Sequence, residues 1–259
     1  MQAADERALR VAEGLNRAVL ADTLARVIAR LEINCVIDAG AHRGEYGKLL
    51  RGTGYEGEIV SLEPTSDAFT ELEVEMAAHP PWNGRRLALG ERSGEAEMTV
   101  FESSEFSSIG EPTEWGRATF PGLAGGRREP VEVARLDDLF AELTKGVDEP
   151  RVLLKIDVQG SEWSVLEGSS GSLPAIAAVQ VETAVVPVYE DARPFTEVIE
   201  RLGEAGFELA GAFPVSRDRH LRIVELDCLM VRIADKVTTQ AGADRGGARQ
   251  TRSGGHKAE

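Results

Sequence analysis

The chain has 259 residues, with 29 Lys and Arg against 44 Asp and Glu, a formal charge of −15 and 42% hydrophobic residues. That length and apolar content can fill a core and exclude disorder of the whole chain. The negative charge repels phosphate backbones and anionic lipid surfaces, and no run approaches the roughly 18 apolar residues of a membrane span, so nucleic acid and membrane are excluded as partners.

Residues 9–31 carry Leu20, Leu24, Val27, Ile28 and Leu31 at three-to-four spacing, which predicts an amphipathic helix with Gly14 as a candidate break. Residues 1–33 are therefore read as an N-terminal helical segment. Cys35, Val36 and Ile37 form a short buried strand running into a turn punctuated by Gly40, Gly44 and Gly47. A helix over 45–50, a strand over 58–62, a helix over 66–78 with Phe69, Leu72 and Met76 on one face, and a third strand over 85–89 follow. Strands alternating with helices imply parallel pairing in one sheet with helices on both faces.

The middle departs from this rhythm. Residues 95–101 and 131–133 alternate like half-exposed strands, and between them 102–130 is rich in Gly, Ser, Pro and charge, as expected of a lid or substrate loop. A helix over 136–143 precedes the most apolar strand, 152–157. Then come a helix over 162–167, a strand over 177–182, a helix over 195–205, and strands over 208–213 and 223–232. The charged turn at 216–220 makes the last two an antiparallel pair. Residues 34–233 thus read as one α/β domain. Residues 234–259 have almost no large apolar side chain and are expected to be a disordered tail. Cys35 and Cys228 sit in apolar runs with no Cys or His at metal-site spacing, and the N-terminus lacks the apolar stretch of a signal peptide. A reducing cytoplasm and no metal are expected.

Parallel sheets take ligands at the carboxyl ends of their strands. Asp38 with Gly40 and Gly44 follows the first strand, Glu63 and Pro64 the second, Asp157 the apolar strand, and Glu182 the next. Acids at the ends of buried apolar strands are unusual unless they serve a site. The glycines let backbone approach a ligand, yet the run has neither the G-x-G-x-x-G dinucleotide spacing nor a G-x-x-x-x-G-K-[ST] loop. Glu63 can accept from ribose hydroxyls, which points to an adenosine-containing cofactor. Asp38 is a poor neighbour for pyrophosphate and a good one for a cationic sulfonium, which selects S-adenosylmethionine over NAD and ATP.

The run from Asp38 through Gly40, Ala41, His42 and Gly44 to Tyr46, with Leu62-Glu63-Pro64, Ser107-Ser108, Leu136-Asp137-Asp138-Leu139, Leu154 to Gly168 and Asp227-Cys228-Leu229, resembles the FkbM-type S-adenosylmethionine-dependent methyltransferases over roughly residues 34–233. The resemblance implies a class I methyltransferase, Rossmann-like fold: a seven-stranded, mostly parallel sheet with helices on both faces and an antiparallel last strand. It also implies O-methylation of a hydroxyl on a sugar, glycoside or polyketide by in-line methyl transfer. Asp38, Gly40, Ala41, His42 and Gly44 would line the methionine and adenosine side, Tyr46 would close over it, and Glu63 with Pro64 would hold the ribose. Ser107 and Ser108 would lie in the covering loop and Asp157 at the methyl-transfer point. The family usually has Asn at the position of His42 and Glu at that of Gln159, so one negative charge beside Asp157 is missing here.

Asp157 is the first candidate for general base, with Glu182 and His220 as alternatives, although His220 also fits a solvated turn. Trp115 and Glu162 are candidate substrate contacts; Glu162 equally suits the start of its helix. Lys155, inside an apolar strand, calls for an acidic partner. The acceptor is expected to be a small hydroxylated molecule, with self-association left open. The alternative reading, favoured by His42 and Gln159, is a catalytically inactive methyltransferase-like binding or scaffold protein.

Overall fold

The computed structural model describes residues 2–233, with side chains from residue 14 onward, so the expected tail lies outside the described residues. Helix α1 (Gln2–Leu31) leads into strand β1 (Cys35–Ala39), α2 (Glu45–Gly52), β2 (Glu58–Leu62), α3 (Ser66–Ala78) and β3 (Trp82–Arg85). The strands β4 (Ala88–Leu89), β5 (Gly94–Val100) and β6 (Arg127–Ala134) follow, with α4 (Glu114–Thr119) between β5 and β6. The remaining elements are α5 (Leu136–Leu143), β7 (Val152–Ile156), α6 (Glu162–Glu167), β8 (Ile176–Ala184), α7 (Phe195–Glu204), β9 (Phe207–Arg217) and β10 (Ile223–Arg232).

The main sheet has seven strands in the order β3-β2-β1-β7-β8-β10-β9. β3, β2, β1, β7 and β8 pair in parallel, and β10 runs antiparallel to both of its neighbours. The centre is buried on both faces, because alternate side chains of a strand enter opposite layers. Cys35, Ile37, Ala39, Val152, Leu154 and Ile156 pack into one layer. Val36 and Leu153 enter the other, beside Leu24 of α1 and Leu50 of α2. From β1 the chain builds outward through β2 and β3, then returns to place β7 on the other side of β1. That reversal opens a crevice at the carboxyl ends of β1 and β7.

Three expectations change. Helix α1 runs unbroken through Gly14, since a glycine inside a helix costs only about 1 kcal/mol. The strand expected at 85–89 divides. β3 begins earlier, at Trp82, whose buried indole donates to Ser61 Oγ at 2.9 Å, while Ala88 and Leu89 leave the main sheet to pair with β6. In the middle segment β6 begins at Arg127, so the insertion is residues 101–126. It has its own framework: Thr113 caps α4 through Gly116 N, and Phe101 and Leu123 are buried with Val188 and Tyr189.

Candidate active site

β1 ends in a turn that only glycine can make. Gly40 has φ 76°, and a Cβ there would lie 1.7 Å from the Asp157 carbonyl oxygen, which no side chain can occupy. Gly40 N and Ala41 N donate to Leu62 O at 2.9 and 3.1 Å, and Asp157 N donates to Ala39 O. The ends of β1, β2 and β7 are thereby tied into one rim.

Glu63, at the end of β2, is 5% exposed. Its Oε2 accepts from His42 N at 2.9 Å, and its Oε1 accepts from Thr65 N at 2.9 Å and Thr65 Oγ1 at 2.6 Å. A carboxylate has about four acceptor positions, so one remains on Oε2 for a ligand hydroxyl. The His42 ring sits 2.7 Å from Ser104 Oγ and 3.4 Å from Glu45 Oε2, and its proximity draws the Glu45 carboxyl down to about 2. Tyr46 OH donates to Gln180 Oε1 at 2.8 Å, and Gln180 Nε2 donates to Asp227 Oδ1 at 3.2 Å.

Lys155 on β7 carries positive charge into an acidic wall. Its Nζ donates to Gly40 O at 2.8 Å and lies 3.2 Å from Asp38 Oδ1 and 3.4 Å from Asp157 Oδ2. Burial would raise Asp157, but Lys155 and the Gln159 amide outweigh it and hold the carboxyl below its ordinary value. Glu182 on β8 behaves oppositely. Burial, then the charges of Asp157, Glu225 and Asp227, push it well above the usual carboxylate range. Gln159 Nε2 donates to both acids, to Asp157 Oδ1 at 2.9 Å and Glu182 Oε2 at 2.8 Å. Two neighbouring acids held apart in pKa can act as base and acid.

These groups line one cavity of about 740 Å³. Of the candidate site residues, Gly40, Ala41, His42, Tyr46, Glu63, Pro64, Ser107, Asp157 and Glu182 face it. The other expected site residues lie elsewhere. Asp38 has no exposed surface and is held by Lys155 and Ser61, so its charge reaches the cavity only through Lys155. Gly44 faces Trp82 and Leu72, where a Cβ would meet the indole at 2.9 Å. Ser108 donates to Gln159 O at 2.5 Å behind the wall. Trp115 packs edge-on against Phe120, 6.1 Å between centroids, in the core of the insertion. Glu162 turns its Oε1 back to accept from Val158 N and Gly160 N at the head of α6. His220 lies in the exposed turn after β9, its backbone N bonded to Asp218.

The cavity also takes residues outside that expectation: Ser104, Gln159, Gln180, Glu225 and Asp227, with Phe213 to Ser216 of β9. Gln180 had a signal, a lone amide within the apolar run of β8; Gln159 becomes meaningful only when the turn after β7 meets β8. Among the described residues no group of His, Cys, Asp and Glu is arranged to hold a metal ion, and no helix is long and apolar enough to cross a membrane.

The strand order, the reversal between β1 and β7 and a ligand-sized cavity at the strands' carboxyl ends define the class I S-adenosylmethionine-dependent methyltransferase fold. The family model for the methyltransferase FkbM domain matches residues 38–209, and the chain belongs to that family. Among solved structures it is similar to a protein of Thermobifida fusca assigned as a methyltransferase, at 10% identity and TM-score 0.50, covering 86% of this chain and 82% of that one. It is also similar to the magnesium protoporphyrin IX methyltransferase of Synechocystis PCC 6803 with bound S-adenosylmethionine, at 13% identity and TM-score 0.46, covering 87% and 82%. A third is the 1,6-didemethyltoxoflavin-N1-methyltransferase of Burkholderia thailandensis with bound S-adenosylhomocysteine, at 12% identity and TM-score 0.43, covering 88% and 82%. No curated protein matches the chain.

Proposed function

We propose that the protein is an S-adenosylmethionine-dependent O-methyltransferase acting on a hydroxyl of a sugar or natural-product acceptor, a polyketide or glycoside. The observation that carries this reading is the Asp157 carboxylate, held ionised by Lys155 and Gln159 on the wall of the cavity that Glu63 and the Gly40 turn also line.

The residues present fit the cofactor. The Gly40 turn offers bare backbone where a Cβ has no room, Glu63 keeps an acceptor position for a ribose hydroxyl, and the volume suits a nucleoside-sized ligand with a small acceptor beside it. When bound, S-adenosylmethionine supplies an electrophilic methyl carbon on a sulfonium. Asp157 takes the proton of the attacking hydroxyl, a contribution of about 10²–10⁴-fold. Burial and the charge of Asp157 push the Glu182 carboxyl up, while Lys155 and Gln159 hold Asp157 down, so Asp157 is the member of the pair that favours the ionised form. Ser104, Phe106, Ser107, Ile109 and Phe120 of the insertion wall the cavity. Holding the acceptor in line supplies the largest part of the acceleration, roughly 7–11 kcal/mol in well-oriented systems. The carboxylates of Asp157 and Asp227 on the cavity wall disfavour anionic acceptors.

The test pairs binding with turnover. S-Adenosylmethionine should raise the melting temperature, and a mass screen over sugars and aglycones should find an acceptor that gains one methyl group. Asp157→Asn should keep the thermal shift and lose the methylated product. Tight binding with no product from any hydroxyl acceptor would instead support the inactive scaffold.

A further inference from the structure

Gln159 is the one neutral side chain between two acids, and its own backbone is tied to the insertion. It has φ 55°, a left-handed conformation that a glutamine adopts only when its surroundings hold it there. Gly160 follows at φ 95°, and a Cβ on it would lie 2.6 Å from Tyr189, so the Tyr189 ring lies directly against this turn. Tyr189 OH donates to Phe106 O at 2.7 Å and reaches Gln159 Oε1 at 3.3 Å. Ser108 Oγ donates to Gln159 O at 2.5 Å. Phe106 and Ser108 both belong to the 101–126 insertion that walls the cavity. With its carbonyl facing Tyr189, the carboxamide must present both N–H groups to Asp157 and Glu182; the flipped amide would set an oxygen against two acids.

We infer that Gln159 is a positioning residue that makes the docking of the 101–126 insertion, through Ser108 and Tyr189, set the protonation of the Asp157–Glu182 pair. An amide donates to a carboxylate at any pH and favours its charged form. When the insertion is docked, Gln159 is fixed and both acids keep a donor. When it lifts, Gln159 loses the partners that hold its left-handed backbone, and the acids lose that donor. The other charged and titratable groups around the pair are Lys155 on β7, Asp38 on β1, Glu162 on α6, and Glu225 and Asp227 on β10, with the Tyr189 phenol. Of the insertion's own titratable groups Glu105 lines the same cavity, but it is not among the groups that chiefly shift either acid, so the link runs through Gln159. The inference rests on the proposed role of Asp157 only for its catalytic meaning; the coupling concerns the free protein.

The experiment is a carbon-13 NMR titration of side-chain carboxyls in the full chain without cofactor, with Asp157 and Glu182 assigned from Asp157→Asn and Glu182→Gln. Gln159→Leu should raise both titration midpoints by roughly one pH unit or more. Tyr189→Phe and Ser108→Ala, which touch neither acid, should move the same two midpoints upward by a smaller amount and speed proteolytic cleavage within 101–126. Unchanged midpoints in both of these variants would overturn the inference, whatever Gln159→Leu does. If Gln159→Leu fails to fold, the two hydroxyl deletions decide. Should Asp157→Asn keep full turnover, the base assignment falls while the titrations still judge the coupling.

Discussion

Lys155 Nζ stands 3.2 Å from Asp38 Oδ1, with both side chains buried between β1 and β7. Burial raises the Asp38 carboxyl and Lys155 opposes it, while the nearby acids push the Lys155 ammonium above its ordinary value. Removing one member of a buried pair strands the other's charge, typically at about 3–5 kcal/mol. Lys155→Met is therefore expected to lower stability by that amount in urea unfolding at neutral pH. The double variant Asp38→Asn with Lys155→Met should recover part of it. A loss below about 1 kcal/mol for the single variant would mean that the pair is solvated and not structural.

Glu63 serves both the fold and the proposed ribose contact, and the two can be separated. Glu63→Ala removes the acceptor for His42 N, Thr65 N and Thr65 Oγ1, so the free protein should melt a few degrees lower. The rise in melting temperature produced by S-adenosylmethionine should largely vanish as well. Retention of the full ligand-induced rise, measured against the variant's own lowered baseline, would remove Glu63 from cofactor binding.

Much of this architecture is legible in the sequence because the central strands are continuous apolar runs, and Cys35-Val36-Ile37 and Val152-Leu153-Leu154 leave no other place to be buried. β3 is not legible that way. Trp82-Asn83-Gly84-Arg85 has one large apolar residue, and the strand joins the sheet because Gly84 lets the backbone close on Ser61 and the indole of Trp82 bonds its hydroxyl. In the site, Glu63, Asp157 and Glu182 stand out as acids at strand ends. Gln159 does not, since its meaning depends on Glu182 and Tyr189, which only the folded sheet brings to it.

Trp115 reads from sequence as a substrate platform in a long loop. Its packing against Phe120 makes it part of the insertion's core instead. Trp115→Ala should cost on the order of 1–3 kcal/mol, below the range for fully buried tryptophan because the ring is half-buried. Its effect on the acceptor KM should be small compared with that of a residue facing the cavity, such as Phe213. A large rise in KM with unchanged stability would return Trp115 to the substrate.

Glu162 makes the stability of the protein depend on pH in a defined direction. Its carboxyl is buried at the head of α6 and pushed up to about 7, chiefly by desolvation and further by Asp157, against the favourable bonds from its own N–H, Gly160 N and Val158 N. The ordinary glutamate value is 4.5, so between about pH 4.5 and 7 the folded state holds a proton that the unfolded chain has released. A raised acid therefore adds stability fully present below the lower value and lost as pH rises through the upper one. Asp227, raised to about 6 by burial and Asp157, contributes in the same sense. Glu162→Gln keeps an oxygen to accept from Val158 N and Gly160 N and removes the titration. Urea unfolding at pH 5 and pH 8 should show the wild type losing stability between them, by on the order of 1–3 kcal/mol from Glu162, and the variant losing correspondingly less. Equal pH dependence in the two proteins would show that Glu162 is ionised in the fold at pH 5, placing its charge in contact with water rather than beneath the turn.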